Sequence, residues 1–291
     1  MEMELFYPQQ QSIAQSSSLF RLYKQAIQAD EDKIVFNLTR SKSLTPLGII
    51  VLTATVRECQ DQGKKCTYLR PDDDNFNYFL DEIGFHNFFG IDGEGPTSDS
   101  IETGTIQLKK IRDIDTMWIE TMIDIFDFHL KISQGVKDSL WMSLIETMTN
   151  VVDHSGVNEY FVCAWTDQPK KQIRVCIADL GKGIYSSLKT APEFSKLEDD
   201  YEAIRKSVEN GVSSRPGRAG LGLNHITRFI KINEGQCCII SGEGKVFWKF
   251  DQGKIQNQKM PTPFDGTIVK LIINIDKEGF YFLADEKDYL F

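Results

Sequence analysis

The chain of 291 residues carries 42 acidic against 33 basic side chains, a net charge of −9, so its average field repels a phosphate backbone and disfavours general nucleic-acid binding. Hydrophobic residues make up 41% and charged residues 26%, the proportions of a globular protein with apolar material enough for two domain-sized cores. The longest apolar-looking run, Leu47–Val56, is about half of the ~20 residues that a membrane-spanning helix needs, and Met1-Glu2-Met3-Glu4 lacks the basic start of a secretory signal, so the expected location is the cytoplasm.

Residues 1–17 read as a flexible arm, the stretch 8–18 being rich in Gln and Ser. A helix is expected over Leu19–Gln28 and a buried strand over Lys33–Leu38. The next helix starts at Thr45-Pro46, where threonine caps free N–H groups and proline suits the first turn. Gly63 closes it, Cys66–Leu69 follows as a strand, and Asn75–Ile83 is a helix closed by Gly84. This alternation predicts a small α/β domain over 18–90. The segment 91–104, made of Gly, Ser, Thr and acidic residues with one Pro, reads as a linker.

Beyond it, one strand, helices over Trp118–Leu130 and Val136–Val152, and five further strands are expected. Those strands are Glu159–Trp165, Gln172–Ala178, Gln236–Ser241, Val246–Phe250 and Thr267–Ile275. Together they predict an α+β sandwich with a mixed sheet over 105–276. The tail 277–291 carries Phe280, Tyr281, Phe282, Tyr289 and Phe291, which predicts packing on its own domain, a protein-partner or homodimer contact being the alternative. The six cysteines form no C-x-x-C pair and read as small buried residues, not as a zinc ribbon or redox pair.

Four segments carry chemistry. In Leu140–His154 the helical period of ~100° per residue sends Trp141, Leu144, Ile145, Met148, Val151 and Val152 one way and Glu146, Asn150 and His154 the other. Ile173–Ile184 is a buried strand that ends in Asp179, followed by Gly181 and Gly183: a carboxylate able to accept from an exocyclic amine, with glycines that let a flat ring approach the backbone. Gly217–Leu223 (GRAGLGL) leads into a helix over Asn224–Ile232, and glycines before a helix start offer bare N–H groups to phosphate. Asp265-Gly266-Thr267 opens the last strand. No G-x-x-x-x-G-K-[ST] occurs, so the P-loop solution is excluded.

In this order and spacing the four segments resemble the ATP site of the GHKL superfamily, which includes gyrase B, mismatch-repair ATPases, heat-shock chaperone ATPases, histidine kinases and anti-sigma-factor serine kinases. The resemblance covers residues 105–275 and implies a Bergerat-type sandwich that binds ATP with Mg²⁺. It implies that Asn150 holds the Mg²⁺ and that Glu146 polarises the attacking water or acceptor hydroxyl. Asp179 is implied to bind the adenine amino group, with Gly181 and Gly183 at the pocket border and Thr267 supporting Asp179. The resemblance further implies that Gly217, Gly220 and Gly222 form the phosphate-side hinge of a lid over Gly211–Arg218. Asp153 departs from the lysine usual in histidine kinases, His154 is similar to anti-sigma-factor kinases, and no His-Glu dimerisation motif is found, so an autophosphorylating histidine kinase is rejected. Residues 18–90 weakly resemble a STAS-type domain, whose phosphorylated serine has Thr45 as nearest equivalent, although a helix cap is the plainer reading of Thr45. Three functions follow: an ATP-hydrolysing regulatory switch acting on a protein partner, which the balance favours; a serine/threonine kinase of the partner-switching kind; and a nucleotide-sensing module without turnover.

Overall fold

The computed structural model describes residues 1–9, 16–89, 99–111, 116–154, 159–213, 222–275 and 281, with all side chains there except those of residues 16, 150–154 and 261. The chain is a mixed α+β structure built on two sheets.

The first sheet comes from β1 (Glu2–Phe6), β2 (Lys33–Asn37) and β3 (Lys65–Leu69), in that order and all parallel. The helices α1 (Ser16–Gln28) and α2 (Pro46–Asp61) make the two crossovers. Successive right-handed crossovers in one direction put both helices on one face. β1 corrects the expected arm: residues 2–6 pair with residues 33–37, and Leu5 is buried. A short edge strand with charged alternate positions gives little sequence signal. Of the rest of the arm, residues 10–15 lie outside the described residues.

The side chain of Thr45 caps α2, accepting from Gly48 N at 3.3 Å, with Pro46 in the first turn. The helix is buried continuously from Pro46 to Val56. Apolar on all sides, it has the pattern of a helix enclosed by protein. Its two buried hydroxyls return to the backbone: Thr53 donates to Ile49 O at 2.8 Å and Thr55 to Val51 O at 2.6 Å. The enclosure accounts for the long apolar run. Among the described residues no helix is long and apolar enough to cross a membrane.

After α3 (Asp74–Glu82) and α4 (Phe85–Phe88), the described part of the expected linker is a tight turn: Ser100 and Thr105 bridge, and the Asp99 carboxylate takes Gln107 N at 3.0 Å and Lys109 Nζ at 2.5 Å. The second sheet uses β4 (Ile106–Ile111), β5 (Tyr160–Asp167), β6 (Gln172–Asp179), β7 (Gln236–Lys249) and β8 (Lys254–Asn274), ordered β4-β5-β6-β8-β7. Every pairing is antiparallel, which corrects the expected mixed sheet. The reason lies in the connections. Two long helices, α5 (Met117–Leu130) and α6 (Gln134–His154), return the chain so that β5 opposes β4. The passage from β6 to β7 through α7 (Gly183–Leu188), α8 (Asp200–Ser207) and α9 (Gly222–Ile232) does leave those two strands parallel, but β8 inserts between them.

β7 also doubles back. Phe250 N donates to Gly235 O at 3.1 Å, whereas a straight strand would separate them by roughly 50 Å. The fold-back lies at Gly242, where φ is +58° and the register breaks. The expected strands over Gln236–Ser241 and Val246–Phe250 are its two arms.

One face of the second sheet (Val162, Val175, Ile177, Ile239, Val269, Leu271) packs with α5, α6 and α9 through Met122, Phe126, Leu140, Leu144 and Phe229. The other face (Phe161, Cys163, Cys176, Ala178, Ile240, Ile268) shares a core with α1 and α2. The result is four layers: helices, five-stranded sheet, helices, three-stranded sheet. Phe264, fully buried, lies 5.9 and 5.6 Å from the rings of Phe20 and Tyr23 on α1, and Arg57 on α2 donates to Glu159 at 2.8 Å. All six cysteines are free, and five are buried. In the tail, Tyr281 packs on its own domain: its ring lies 5.7 Å from Phe229, Asn233 Nδ2 donates to its hydroxyl at 2.9 Å, and Ser133 N donates to its carbonyl at 2.7 Å. Residues 276–280 and 282–291 lie outside the described residues.

Candidate functional site

α6 buries Val136, Leu140, Leu144 and Met148, a stripe at a spacing of four, against the sheet. Trp141 and Ile145, expected in that stripe, flank it half-buried. Glu146 is half-buried on the side towards α9. A Cβ at Gly222, the first residue of α9, would lie 3.2 Å from Glu146 Cβ and 3.1 Å from Ser143 O. Glycine there lets the start of α9 come close to Glu146, and such a helix start attracts anions. Ser139 Oγ and His225 Nδ1, 3.0 Å apart, tie the same two helices one turn farther on. Asn150 and His154 belong to the last two turns of α6, but their side chains lie outside the described residues. So do Gly217 and Gly220, and residues 214–218 of the expected lid.

A second group forms at the end of the sheet. Ile173, Val175 and Ile177 face the helices, so strand alternation turns Asp179 the same way. The register sets Thr267 opposite Asp179 and Ser241 opposite Thr267. Three polar residues on three adjacent strands thus terminate an otherwise apolar face. The Asp179 carboxylate accepts from Gly181 N at 2.8 Å and from the backbone and side chain of Thr267. Burial pushes its pKa up to about 6, and those hydrogen bonds hold it from rising further.

Ser241 is the hub of the row. Its hydroxyl accepts from Ile184 N at 2.8 Å and donates to Gly266 O at 2.9 Å. A Cβ at Gly183 would lie 2.7 Å from that hydroxyl. At Gly266 φ is +123°, and a Cβ would collide with the carbonyl oxygen of Asp179. Asp265-Gly266-Thr267 lies inside β8 and does not open a strand as expected, and only glycine lets this stretch lie against the end of β6. The structure therefore gathers Asp179, Gly181, Gly183 and Thr267 at the sheet end and brings Glu146 to Gly222 between the helices. Sequence reasoning gave no role to Gly266 and did not single out Ser241. Gly266 had a signal in its Asp-Gly-Thr sequence, whereas a single serine at the end of a strand has none.

Chemically, the row offers a carboxylate acceptor beside closely approachable backbone, which suits the donor edge of a flat heterocycle. The half-buried Glu146 beside a helix start suits a general base near an anion. Among the described residues no three His, Cys, Asp or Glu side chains cluster to hold a metal. A nucleotide-bound Mg²⁺ needs only one or two protein ligands, so the donor set does not oppose one.

Thr45 belongs elsewhere. Arg57 on α2 meets Glu159, beside the Tyr160–Asp179 pair, and Thr45 lies roughly 18 Å back along the helix axis. α2 moreover covers the sheet face opposite to α6. Comparison of the sequence with protein-family models gave no match, and neither did comparison with curated proteins.

Proposed function

We propose that residues 105–275 bind Mg-ATP in a GHKL-type site and work as a regulatory switch with slow hydrolysis. The observation that carries this reading is the row Asp179–Thr267–Ser241 at the end of the apolar sheet face, with Gly266 held against Asp179. Asp179 accepts from the adenine amino group, while Thr267 and Gly181 N fix the carboxylate. The start of α9 receives phosphate oxygens. Glu146 takes a proton from water as its oxygen bonds to the γ-phosphorus; the bond from that phosphorus to the β–γ bridging oxygen breaks and ADP leaves with the electron pair. Asn150 is the proposed protein ligand of Mg²⁺, which neutralises charge on the phosphates.

In this reading the STAS-like N-terminal unit transmits the state of the site. Phe264 touches α1 and stands three residues before Thr267, so a shift of the Asp265-Gly266-Thr267 stretch of β8 reaches α1 through one packed ring. A kinase reading with Thr45 of the same chain as acceptor is disfavoured by its capping bond and by its distance from Asp179.

The test uses the full chain with Mg²⁺ and γ-labelled ATP. Phosphate release that is lost in Glu146→Ala, with no label on protein, supports the switch. Label on the chain that disappears in Thr45→Ala supports the kinase reading. Asp179-dependent binding without turnover leaves a nucleotide sensor.

A further inference from the structure

At the other end of the molecule the carboxyl ends of β1, β2 and β3 open into a crevice of about 640 Å³ that the ATP reading does not use. Its walls come from the end of β1 and the loops after the three strands: Phe6, Tyr7 and Gln9, Thr39 to Lys42, and Asp72 with Asp73. Open parallel sheets bind ligands outside the carboxyl ends of their strands, at a reversal of strand order that this sheet lacks, so here the end of β1 and the loops alone shape the crevice. These loops are held by their backbones. Tyr7 N donates to Asn37 O at 2.9 Å, Lys42 N to Gln9 O at 2.8 Å and Asp72 N to Thr39 O at 2.9 Å. Several wall side chains are also committed: Ser41, fully buried, donates to Pro8 O at 3.1 Å, Thr39 donates to Asn37 at 2.6 Å, and Asp73 caps α3.

The charged side chains of Arg40, Lys42 and Asp72 remain, all exposed, and among the described residues none of them makes an ion pair. Two cations therefore share one rim with a single uncommitted carboxylate on a chain whose net charge is −9. A guanidinium and an ammonium lining one crevice suit a phosphate, and a carboxylate there suits hydroxyl donors. We propose that this crevice binds a small phosphorylated polyol, with Arg40 and Lys42 on the phosphate and Asp72 on the hydroxyls. The site is distinct from the proposed ATP site, which lies on the other side of the five-stranded sheet.

The experiment is calorimetric titration of the full chain with ribose 5-phosphate and with inorganic phosphate, in parallel for wild type, Arg40→Ala/Lys42→Ala and Asp179→Asn. The expected result is saturable binding of ribose 5-phosphate to wild type and Asp179→Asn, about tenfold or more weaker in the Arg40/Lys42 variant. Inorganic phosphate is expected to bind about tenfold more weakly than the sugar phosphate. No binding by wild type up to ~10 mM would overturn the proposal. Equal affinity for wild type and the Arg40/Lys42 variant would overturn it as well, and so would loss of binding in Asp179→Asn. Equal affinity for the two probes would remove the hydroxyl contact with Asp72. Both substituted cations are exposed, so the fold should survive, and an unchanged far-ultraviolet circular dichroism spectrum checks it.

Discussion

Asp179→Asn should stabilise the nucleotide-free protein while it weakens nucleotide binding. Burial raises the carboxyl from its ordinary 3.8 to about 6, so the folded state favours the protonated form. A raised carboxyl means that the folded state binds more protons than the unfolded one between those two values. Stability of the wild type therefore falls as pH rises from about 4 to about 6, and the cost is fully present above that window. About two pK units correspond to roughly 3 kcal/mol for the charged form. Partial exposure of the residue reduces this to ~1–3 kcal/mol. Asparagine keeps the shape and one acceptor for Gly181 N but does not titrate. Urea unfolding of both proteins without nucleotide should show the advantage of the variant growing by about 1–2 kcal/mol between pH 4.5 and pH 7.5. A difference that stays constant over that interval would refute the claim that a buried carboxylate is held at a cost.

Gly266→Ala should destabilise by ~2–4 kcal/mol in denaturant melts, because the new methyl meets the Asp179 carbonyl in a strained backbone conformation. Gly63→Ala, with φ +80° but open space around it, should cost only ~1–2 kcal/mol. Arg57→Ala removes the guanidinium 2.8 Å from the buried Glu159, beside which Lys110 stands 4.0 Å away, and should cost ~1–3 kcal/mol. A double-mutant cycle with Glu159→Gln should show the two effects to be coupled. Thr45→Ala should cost ~1 kcal/mol through the lost cap and leave phosphate release unchanged.

Much of the fold was legible because local chemistry and global packing agree. Thr45-Pro46 fixed the start of α2, and Gly84 with φ +70° closed α3, as their residue types require. What sequence could not give was placement in the third dimension. Thr45-Pro46 and the run that follows mark a helix, but only the structure reveals that two sheets enclose it. β1 was missed because an edge strand with Glu2 and Glu4 at alternate positions resembles a solvated segment. The mixed sheet was a topological expectation, and strand direction depends on connections that periodicity does not report. At the candidate site, helix face and strand end, both periodic properties, pointed to Glu146 and Asp179, whereas Thr267 came only from the resemblance to GHKL ATP sites. Ser241 joins them only through cross-strand register, which no local pattern encodes.

The central claim is that the sheet-end row recognises an adenine nucleotide, and equilibrium binding of Mg-ATP to wild type and Asp179→Asn tests it most directly. Saturable binding by the wild type, weakened at least ~tenfold in the variant by loss of a charge-assisted hydrogen bond, is the predicted result. Absence of binding by the folded wild type, or equal affinity in the two proteins, would contradict it.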